Sequence, residues 1–110
     1  MAGDFSYTVD RHDGTLVVRL FGELDALAAQ DLAAVMDRMD GAGLTGVAEV
    51  RVDCEDLTYL EAAGISILLR VRAAVVARGA SVTLERLQPA QRRVIEATGL
   101  EEALHVLDDS

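Results

Sequence analysis

The chain has 110 residues, 51% of them apolar, and a formal net charge of −9 from 19 acidic and 10 basic side chains. This length fits one domain with one core, which we expect to span residues 1–110. The acidic field repels phosphate backbones and anionic lipid surfaces, so we expect no nucleic-acid partner. No window approaches the roughly 20 apolar residues that span a bilayer, and residues 1–10 lack a signal-peptide pattern. Cys54 is the one cysteine, so no internal disulfide can form, which is typical of proteins in a reducing compartment. We therefore expect a cytoplasmic protein without membrane insertion.

The first half of the chain predicts a hairpin followed by a helix. Apolar and polar residues alternate over residues 5–10 and again over Thr15–Phe21, which is typical of two strands close enough to pair antiparallel. His12-Asp13-Gly14 predicts the turn between them. Gly22-Glu23-Leu24-Asp25 is expected to break the second strand. Asp25 is the predicted N-cap of the helix that follows, because its carboxylate can accept hydrogen bonds from free helical amides.

The second half opens on the clearest strand pattern, over residues 48–54, where apolar residues alternate with charged ones. One apolar and one charged face predict a half-open sheet with helices mainly on one side, and hence an α/β domain. The first helix is expected to end at about Met39, and loops are expected over Asp40–Gly46 and Asp56–Leu60. A second helix over Ala62–Arg78 should be stopped by Gly79, and a strand at Val82 and Leu84, with Thr83 facing outward, should follow it. The last expected elements are a helix from Pro89 to Gly99 and a short strand at Leu104 and Val106.

The junction that enters the second helix is the most informative segment. A helix N-terminus carries unpaired amides and a partial positive charge, so the acidic Glu61 suits it as a cap, as a partner contact, or as both. Gly64 lies within the first turn, where glycine costs about 0.5–1 kcal/mol relative to alanine. Either a packed strand or a partner must therefore approach closely, and of the two we expect local packing.

Signals for catalysis are weak. Cys54 ends an apolar strand and is interpreted as a small buried hydrophobe. His12 and His105 belong to no metal-spacing motif, and the chain has no glycine-rich phosphate loop. Four carboxylates cluster in the sequence without a basic or nucleophilic partner: Asp53, Glu55, Asp56 and Glu61. We therefore expect a binding module without metal or cofactor, not an enzyme; an enzyme that uses this carboxylate cluster is the weaker alternative.

Three motifs carry a resemblance to a known family. They are Gly22-Glu23-Leu24-Asp25 after a strand, the run Asp56–Ile65 before a helix, and Ala97-Thr98-Gly99-Leu100 near the end. Together they resemble the STAS domain, a family that includes the bacterial anti-sigma factor antagonists. The second motif is the most specific, and the resemblance covers about residues 5–107 in the family's element order. It implies a single STAS-like domain with a small mixed sheet.

The resemblance also implies partner switching. In that scheme the antagonist binds an anti-sigma factor, usually a serine kinase, and frees the sigma factor for transcription. The kinase then phosphorylates a serine in an Asp-Ser-Ser-Gly motif, and the phosphate adds about 1.5–2 negative charges to a packed surface, which releases the antagonist. Here Glu61 stands at the aspartate position, Ala62 at the phosphorylated serine and Ala63 at the second serine. Because alanine has no hydroxyl, this switch is absent.

Three hypotheses follow from that departure. The chain binds its partner constitutively, or regulation has moved to the hydroxyl of Thr58 or Ser66, or the domain serves as a subunit or scaffold of a transporter or sensory complex. The expected partner is an anti-sigma factor resembling a serine kinase, and the chain is expected to be a monomer or weak homodimer. The predicted partner-binding residues are Asp25, Thr58, Glu61, Ala62, Ala63, Gly64 and Ser66.

Overall fold

A four-stranded mixed sheet organises the chain. The structure, a computed structural model, describes residues 4–39 and 45–99. Within these ranges the elements are β1 Phe5–His12, β2 Thr15–Leu24, α1 Ala26–Met39, β3 Glu49–Leu60, α2 Ala62–Val76, β4 Ser81–Glu85 and α3 Pro89–Thr98. The strand order is β1-β2-β3-β4, with β1 antiparallel to β2 and the other two pairs parallel. The predicted fold class, α/β with a small mixed sheet, is confirmed.

The predicted hairpin is present, but its second strand is longer than expected. Asp13 adopts a positive φ of 54° in the turn, and His12 pairs with Thr15 across it. The break expected over Gly22-Glu23-Leu24-Asp25 comes only at the end of that run, since β2 continues to Leu24 and stops before Asp25. Gly22 has a φ of 89°, and a Cβ there would lie 1.9 Å from the Asp4 carbonyl oxygen, so glycine lets the strand pass this point without a break.

The third strand also extends further than its alternation indicates. The loop expected over Asp56–Leu60 is wrong, because β3 runs to Leu60 and pairs there with Leu24. Two register shifts place extra residues in β3 opposite β2. These bulges change which residues face the core, so that Leu57 and Leu60 are both buried. The segment before α2 is therefore an extended strand end, held by β2.

The core lies between the sheet and the helices. It includes Leu16 and Leu20 of β2, Val50 and Val52 of β3, Ala28 and Leu32 of α1, Ile65 and Leu68 of α2, Leu84 of β4 and Ile95 of α3. The opposite face of the sheet exposes Arg19 and Arg51, which agrees with helices mainly on one side. Thr83 lies on that face in register with Arg51, in agreement with its expected outward orientation, but it is buried there.

Several local signals are confirmed at the helix ends. Pro89 begins α3, and Gly99 ends it in the left-handed conformation with a φ of 72°. The second helix stops at Val76, two residues before the expected Arg78, and Gly79 takes a φ of 82° in the turn that follows. Of the loop expected over Asp40–Gly46, Thr45 and Gly46 form a turn, whereas residues 40–44 and the strand expected at residues 104–106 lie outside the described residues. In the described ranges no helix is long and apolar enough to cross a bilayer.

Candidate functional site

The candidate site lies where two parallel strands end and two helices begin. Leu24 of β2 pairs with Leu60 of β3, and the Glu61 N–H donates to the Leu24 carbonyl oxygen at 3.5 Å. The starts of α1 and α2 are therefore neighbours at the carboxyl ends of β2 and β3, where open α/β sheets commonly bind ligands. We call residues 23–27 and 58–63 the helix-entry surface.

Asp25 caps α1 as predicted. Its Oδ1 accepts a hydrogen bond from the Ala28 N–H at 3.0 Å, and its carbonyl oxygen accepts from the Ala29 N–H at 2.9 Å. These two bonds pair amides that the helix itself leaves unpaired. The half-buried Asp25 carboxylate thus has a structural role at the edge of the helix-entry surface.

Glu61 occupies the N-cap position of α2 without capping it. Its backbone is extended, and its side chain makes no capping hydrogen bond. The expected capping role is therefore wrong: the carboxylate turns towards the neighbouring tyrosine, and its Oε2 accepts from the Tyr59 hydroxyl at 3.3 Å. That hydrogen bond is the main cause of a raised pKa of Tyr59, and the negative charges of Glu61, Glu23 and Asp25 raise it further. Glu61 is left as a surface group, which suits contact with a partner.

Sequence reasoning missed Tyr59 and Glu23 as members of this site. They face each other because β2 and β3 pair in parallel with Glu23 opposite Tyr59. Nothing in the spacing of two residues 36 positions apart predicts that register. The one local signal was the presence of an aromatic residue at the end of an otherwise charged segment.

Of the remaining predicted contact residues, some present their side chains to solvent, whereas one forms a hydrogen bond within the fold. Ala62 is exposed at the first position of α2, Ala63 is half-buried, and Ser66 is exposed one turn further along the same side as Ala62. The Thr58 hydroxyl instead donates to the Gly22 carbonyl oxygen at 3.1 Å across the second bulge. Thr58 thus holds the two strand ends together, whereas Ala62 and Ser66 present their side chains to solvent.

Gly64 is explained by close packing, as expected. A Cβ at this position would lie 2.6 Å from the Leu24 carbonyl oxygen and 2.8 Å from Leu24 Cγ and Leu60 Cδ1. Only glycine lets the first turn of α2 approach the ends of β2 and β3 so closely. Gly64 is fully covered by these neighbours, so it sets the position of the helix-entry surface from behind.

The carboxylates of the sequence cluster do not form one group. Asp53, on the face opposite the helices, is 5% exposed and accepts from the Arg86 Nε at 3.2 Å and from the Glu55 N–H at 3.0 Å. The Nη2 atom of Arg86 also binds the second Asp53 oxygen, and its Nη1 atom binds the Glu55 carboxylate at 2.6 Å. The Nε atom of Arg19 lies 3.8 Å from the same Asp53 oxygen. The expectation that no basic partner accompanies these carboxylates is wrong, because an arginine 33 residues away completes the cluster. Within the described ranges, no group of three or more residues could hold a metal ion.

Replacing Arg86 with methionine should lower the free energy of unfolding by about 1–3 kcal/mol, because it leaves the buried Asp53 charge without its main partner. The Arg86 side chain is 44% exposed, and Arg19 and the Glu55 N–H remain, which limits the loss. Urea unfolding would measure it. Arg51→Met is the matched control, since its solvent-exposed pairs with Glu49 and Glu85 should contribute little to stability. Equal losses in the two variants would contradict a special role for the Asp53 pair.

Cys54 is a structural residue, as expected. Its side chain is fully buried, and burial is the main cause that raises the pKa of the thiol to about 12, with smaller contributions from the charges of Asp53 and Glu85. A thiol that stays protonated at neutral pH is a poor nucleophile. Cys54 therefore contributes to the core and not to the helix-entry surface.

The fold and the helix-entry surface together define a small mixed-sheet α/β domain with a surface-exposed site at the strand ends. Residues 7–108 match the family model described as "Mlab, STAS domain", so the chain belongs to the STAS domain family. The resemblance drawn from the three motifs is thereby confirmed.

Solved structures show the same fold. The anti-sigma factor antagonist SpoIIAA of Bacillus, in its unphosphorylated form, is 22% identical, with 94% of this chain and 90% of that chain covered and a TM-score of 0.75. An anti-sigma factor antagonist from Mycobacterium paratuberculosis is 23% identical over 94% of this chain and 85% of that chain, with a TM-score of 0.68. The murine anion transporter Slc26a9 is 15% identical over 88% of this chain but only 16% of that chain, with a TM-score of 0.73. No curated protein sequence matches the chain.

Proposed function

We propose that this STAS domain is a non-catalytic, cytoplasmic antagonist of an anti-sigma factor, and that it docks a serine-kinase-like partner through the helix-entry surface. The observation that carries the proposal is the exposure of Ala62 at the first position of α2, directly after Glu61, whose carboxylate accepts the hydrogen bond of Tyr59. The resemblance to the family's Asp-Ser-Ser-Gly motif implies that this position corresponds to the serine that receives the phosphate there. The surface is thus in place for docking, whereas the hydroxyl that would reverse docking is missing.

Constitutive binding is the form of the proposal that the side chains support best. SpoIIAA is known in an unphosphorylated and a phosphorylated form. In this chain the corresponding position cannot carry a phosphate. Of the two hydroxyls predicted as alternative acceptors, that of Thr58 already donates to the Gly22 carbonyl oxygen, whereas Ser66 is exposed on α2, which favours Ser66.

The decisive experiment starts with the tagged protein in its native host. Its partner would be recovered by affinity purification, identified by mass spectrometry, and mixed with the chain and ATP. We expect an anti-sigma factor that releases its sigma factor when the chain is added, with no phosphate on the wild-type chain and phosphate on Ala62→Ser. Phosphate on wild-type Ser66 or Thr58 would overturn constitutive binding. A recovered partner that holds no sigma factor would overturn the antagonist role.

Ala62→Glu should weaken the complex at least about tenfold, which corresponds to about 1.4 kcal/mol. The added carboxylate takes up space at the centre of the contact and brings a further negative charge beside Glu61. Isothermal titration calorimetry with the purified partner would measure the change. Ala73→Glu adds the same group at an exposed position three turns further along α2 and should leave the affinity unchanged. If Ala62→Glu also leaves it unchanged, the interface lies elsewhere.

A second candidate function is that of a STAS subunit in a transporter or sensory assembly. Two observations favour it: the missing serine, and the likeness to a domain that makes up 16% of an anion transporter. In that case the affinity purification would recover transporter or sensor components in place of an anti-sigma factor. The genes beside the coding sequence would separate the two cases cheaply, since a kinase or sigma factor gene supports the first.

A further inference from the structure

The first strand lies at an edge of the sheet. In the part of the chain that the structure describes, β1 pairs with β2 alone and has no strand on its other side. Proteins commonly protect such an edge with a proline, a lysine, a bulge or a very short strand. None of these devices occurs in β1, whose eight residues keep an unbroken register with β2. The outer side of β1 is therefore a template for a further strand.

Pairing with β2 decides which backbone groups lie on this outer side. The Glu23 N–H donates to the Asp4 carbonyl oxygen at 3.0 Å, so these two residues form a hydrogen-bonded pair. His12, which closes the turn with Thr15, falls on the same alternation as Asp4. Hydrogen-bonded and non-hydrogen-bonded pairs alternate along an antiparallel ladder, so every second residue of β1 turns its N–H and C=O away from β2. These edge residues are Phe5, Tyr7, Val9 and Arg11.

The side chains of the edge residues lie on the helix side of the sheet, because they stand opposite core residues of β2 such as Leu16 and Leu20. Phe5 and Tyr7 are half-buried against the core, with ring centroids 6.5 Å apart, whereas Val9 is 40% exposed. This stripe continues the apolar core out to the unpaired edge. A strand with apolar side chains on the same face would cover it while pairing with the edge backbone groups.

A second copy of β1 fits this edge in one antiparallel register. Two strands related by a twofold axis pair all the edge residues only when Thr8 lies opposite Thr8, and the ladder then holds about eight main-chain hydrogen bonds. Tyr7 of each copy lies opposite Val9 of the other, so the exposed valine gains an aromatic neighbour. Phe5 lies opposite Arg11, whose guanidinium is held by carbonyl oxygens of its own chain, so the aliphatic stem of Arg11 meets the ring.

Charge favours the same register. It sets Asp4 opposite His12 of the second copy, and no two like charges face each other directly. Shifting the register by two residues sets Asp4 opposite Asp10 in one direction and leaves Phe5 beyond the end of the ladder in the other. The segment Asp4–His12 contains two acidic residues against Arg11 and His12, so it is close to neutral in a chain of net charge −9. The β1 edge is therefore a place where two copies can approach each other despite their net charge.

We infer that β1 pairs with β1 of a second copy of this chain, with Thr8 opposite Thr8. The two four-stranded sheets join into one, and the helices of both copies lie on the same side of it. The contact uses residues 4–12 and none of the helix-entry surface, so the inference goes beyond the proposed function and does not depend on it. Small interfaces of this kind are typical of weak, reversible complexes. Sedimentation velocity from about 10 μM to 1 mM should therefore show a reversible shift from monomer to dimer, and a monomer throughout would overturn the inference.

Disulfide cross-linking tests the register. In Thr8→Cys the two new thiols face each other in a non-hydrogen-bonded pair, where Cβ atoms lie about 4.5–5.5 Å apart, so mild oxidation should give a covalent dimer. Ser6→Cys is the matched control: it is exposed on the same face, but its two thiols would lie about 13 Å apart along the strands. Cys54 is fully buried and does not compete. A dimer in which Thr8→Cys fails to cross-link, or cross-links no better than Ser6→Cys, forms through another surface and refutes the inference.

A proline at Val9 tests the edge hydrogen bonds. Val9→Pro removes an N–H that points away from β2, so the hairpin keeps its own bonds and the variant should stay monomeric over the whole concentration range. Val9→Thr keeps both the N–H and the branched shape and should dimerise as the wild type does. Circular dichroism would check that both variants are folded. A folded Val9→Pro variant that still dimerises would rule out pairing through this edge.

A pair of lysine variants leaves the backbone unchanged. Thr8→Lys sets two lysines directly opposite each other across the twofold axis and should weaken the dimer about three- to tenfold. Ser6→Lys adds the same charge two residues away, opposite Asp10 of the second copy, and should leave the dimer at least as strong. Both residues are exposed in the monomer, so the fold should tolerate either change. Equal effects of the two variants would reduce the difference to net charge and contradict the inferred pairing.

Discussion

Replacing Gly64 with alanine should destabilise the fold by about 1–3 kcal/mol, the usual range for forcing extra atoms into a packed core. Helix propensity alone predicts the opposite sign, since alanine in a helix is about 0.5–1 kcal/mol better than glycine. Packing should win because the new methyl group would meet the Leu24 carbonyl oxygen at 2.6 Å and Leu60 Cδ1 at 2.8 Å. A backbone carbonyl held in a parallel sheet cannot move aside as the tip of a flexible side chain can.

Urea unfolding followed by circular dichroism would measure this loss. Gly79→Ala is the matched control: nothing lies within 4 Å of a Cβ there, so the variant should lose only the roughly 1 kcal/mol of a strained left-handed residue. A stabilised Gly64→Ala variant would show that α2 can shift away from β2 at little cost. Because Gly64 positions the start of α2, the destabilised variant should also bind partners more weakly at the helix-entry surface.

The stability of the protein should fall as the pH rises above about 9, at up to about 1.4 kcal/mol per pH unit, because of the Cys54 thiol. In the unfolded chain a thiol ionises near its ordinary pKa of about 8.5. In the folded protein burial raises the pKa of Cys54 to about 12. Between these values the unfolded state has lost a proton that the folded state keeps. The stabilising contribution is therefore complete below the lower pKa and is lost as the pH rises towards the higher one.

Comparison with Cys54→Ala isolates this effect. The chain contains no lysine, so few other groups titrate in this range. Tyr59, whose pKa is also raised, acts in the same direction in both proteins and cancels in the difference. Under reducing conditions, the difference in free energy of unfolding between wild type and variant should shrink or reverse from about pH 8 to pH 11. A difference that stays constant would mean that Cys54 is accessible to solvent or ionised in the folded state.

The position of the helix-entry surface follows from sheet pairing more than from the motif that first indicated it. The segment Asp56–Ile65 was recognisable in the sequence, and its junction with α2 is where the helix begins. Glu23 joins it only because β2 continues past Gly22 and pairs with β3 to its end. The helix-entry surface is thus built from the ends of two strands. The contributions of Ala62, Ala63 and Ser66 to binding stay predictions.

Element order and most element ends could be predicted from local signals along the chain. Caps, turns and alternation depend on residues only a few positions apart, so Asp25, Pro89 and Gly99 could be assigned their roles directly. The same local reasoning identified Cys54 as a core residue and Gly64 as a point of close packing.

The length of β3, the partner of the Glu61 carboxylate and the ion pairing of Asp53 depend instead on how the strands pair in the folded chain. Bulges shift the register of β3 against β2, so the second half of β3 does not show the regular alternation of apolar and polar residues that predicts a strand. Arg86 reaches Asp53 from 33 residues away, and Glu23 meets Tyr59 across two strands. Electrostatic contacts of this kind depend on distances in the folded chain, which residue spacing does not determine.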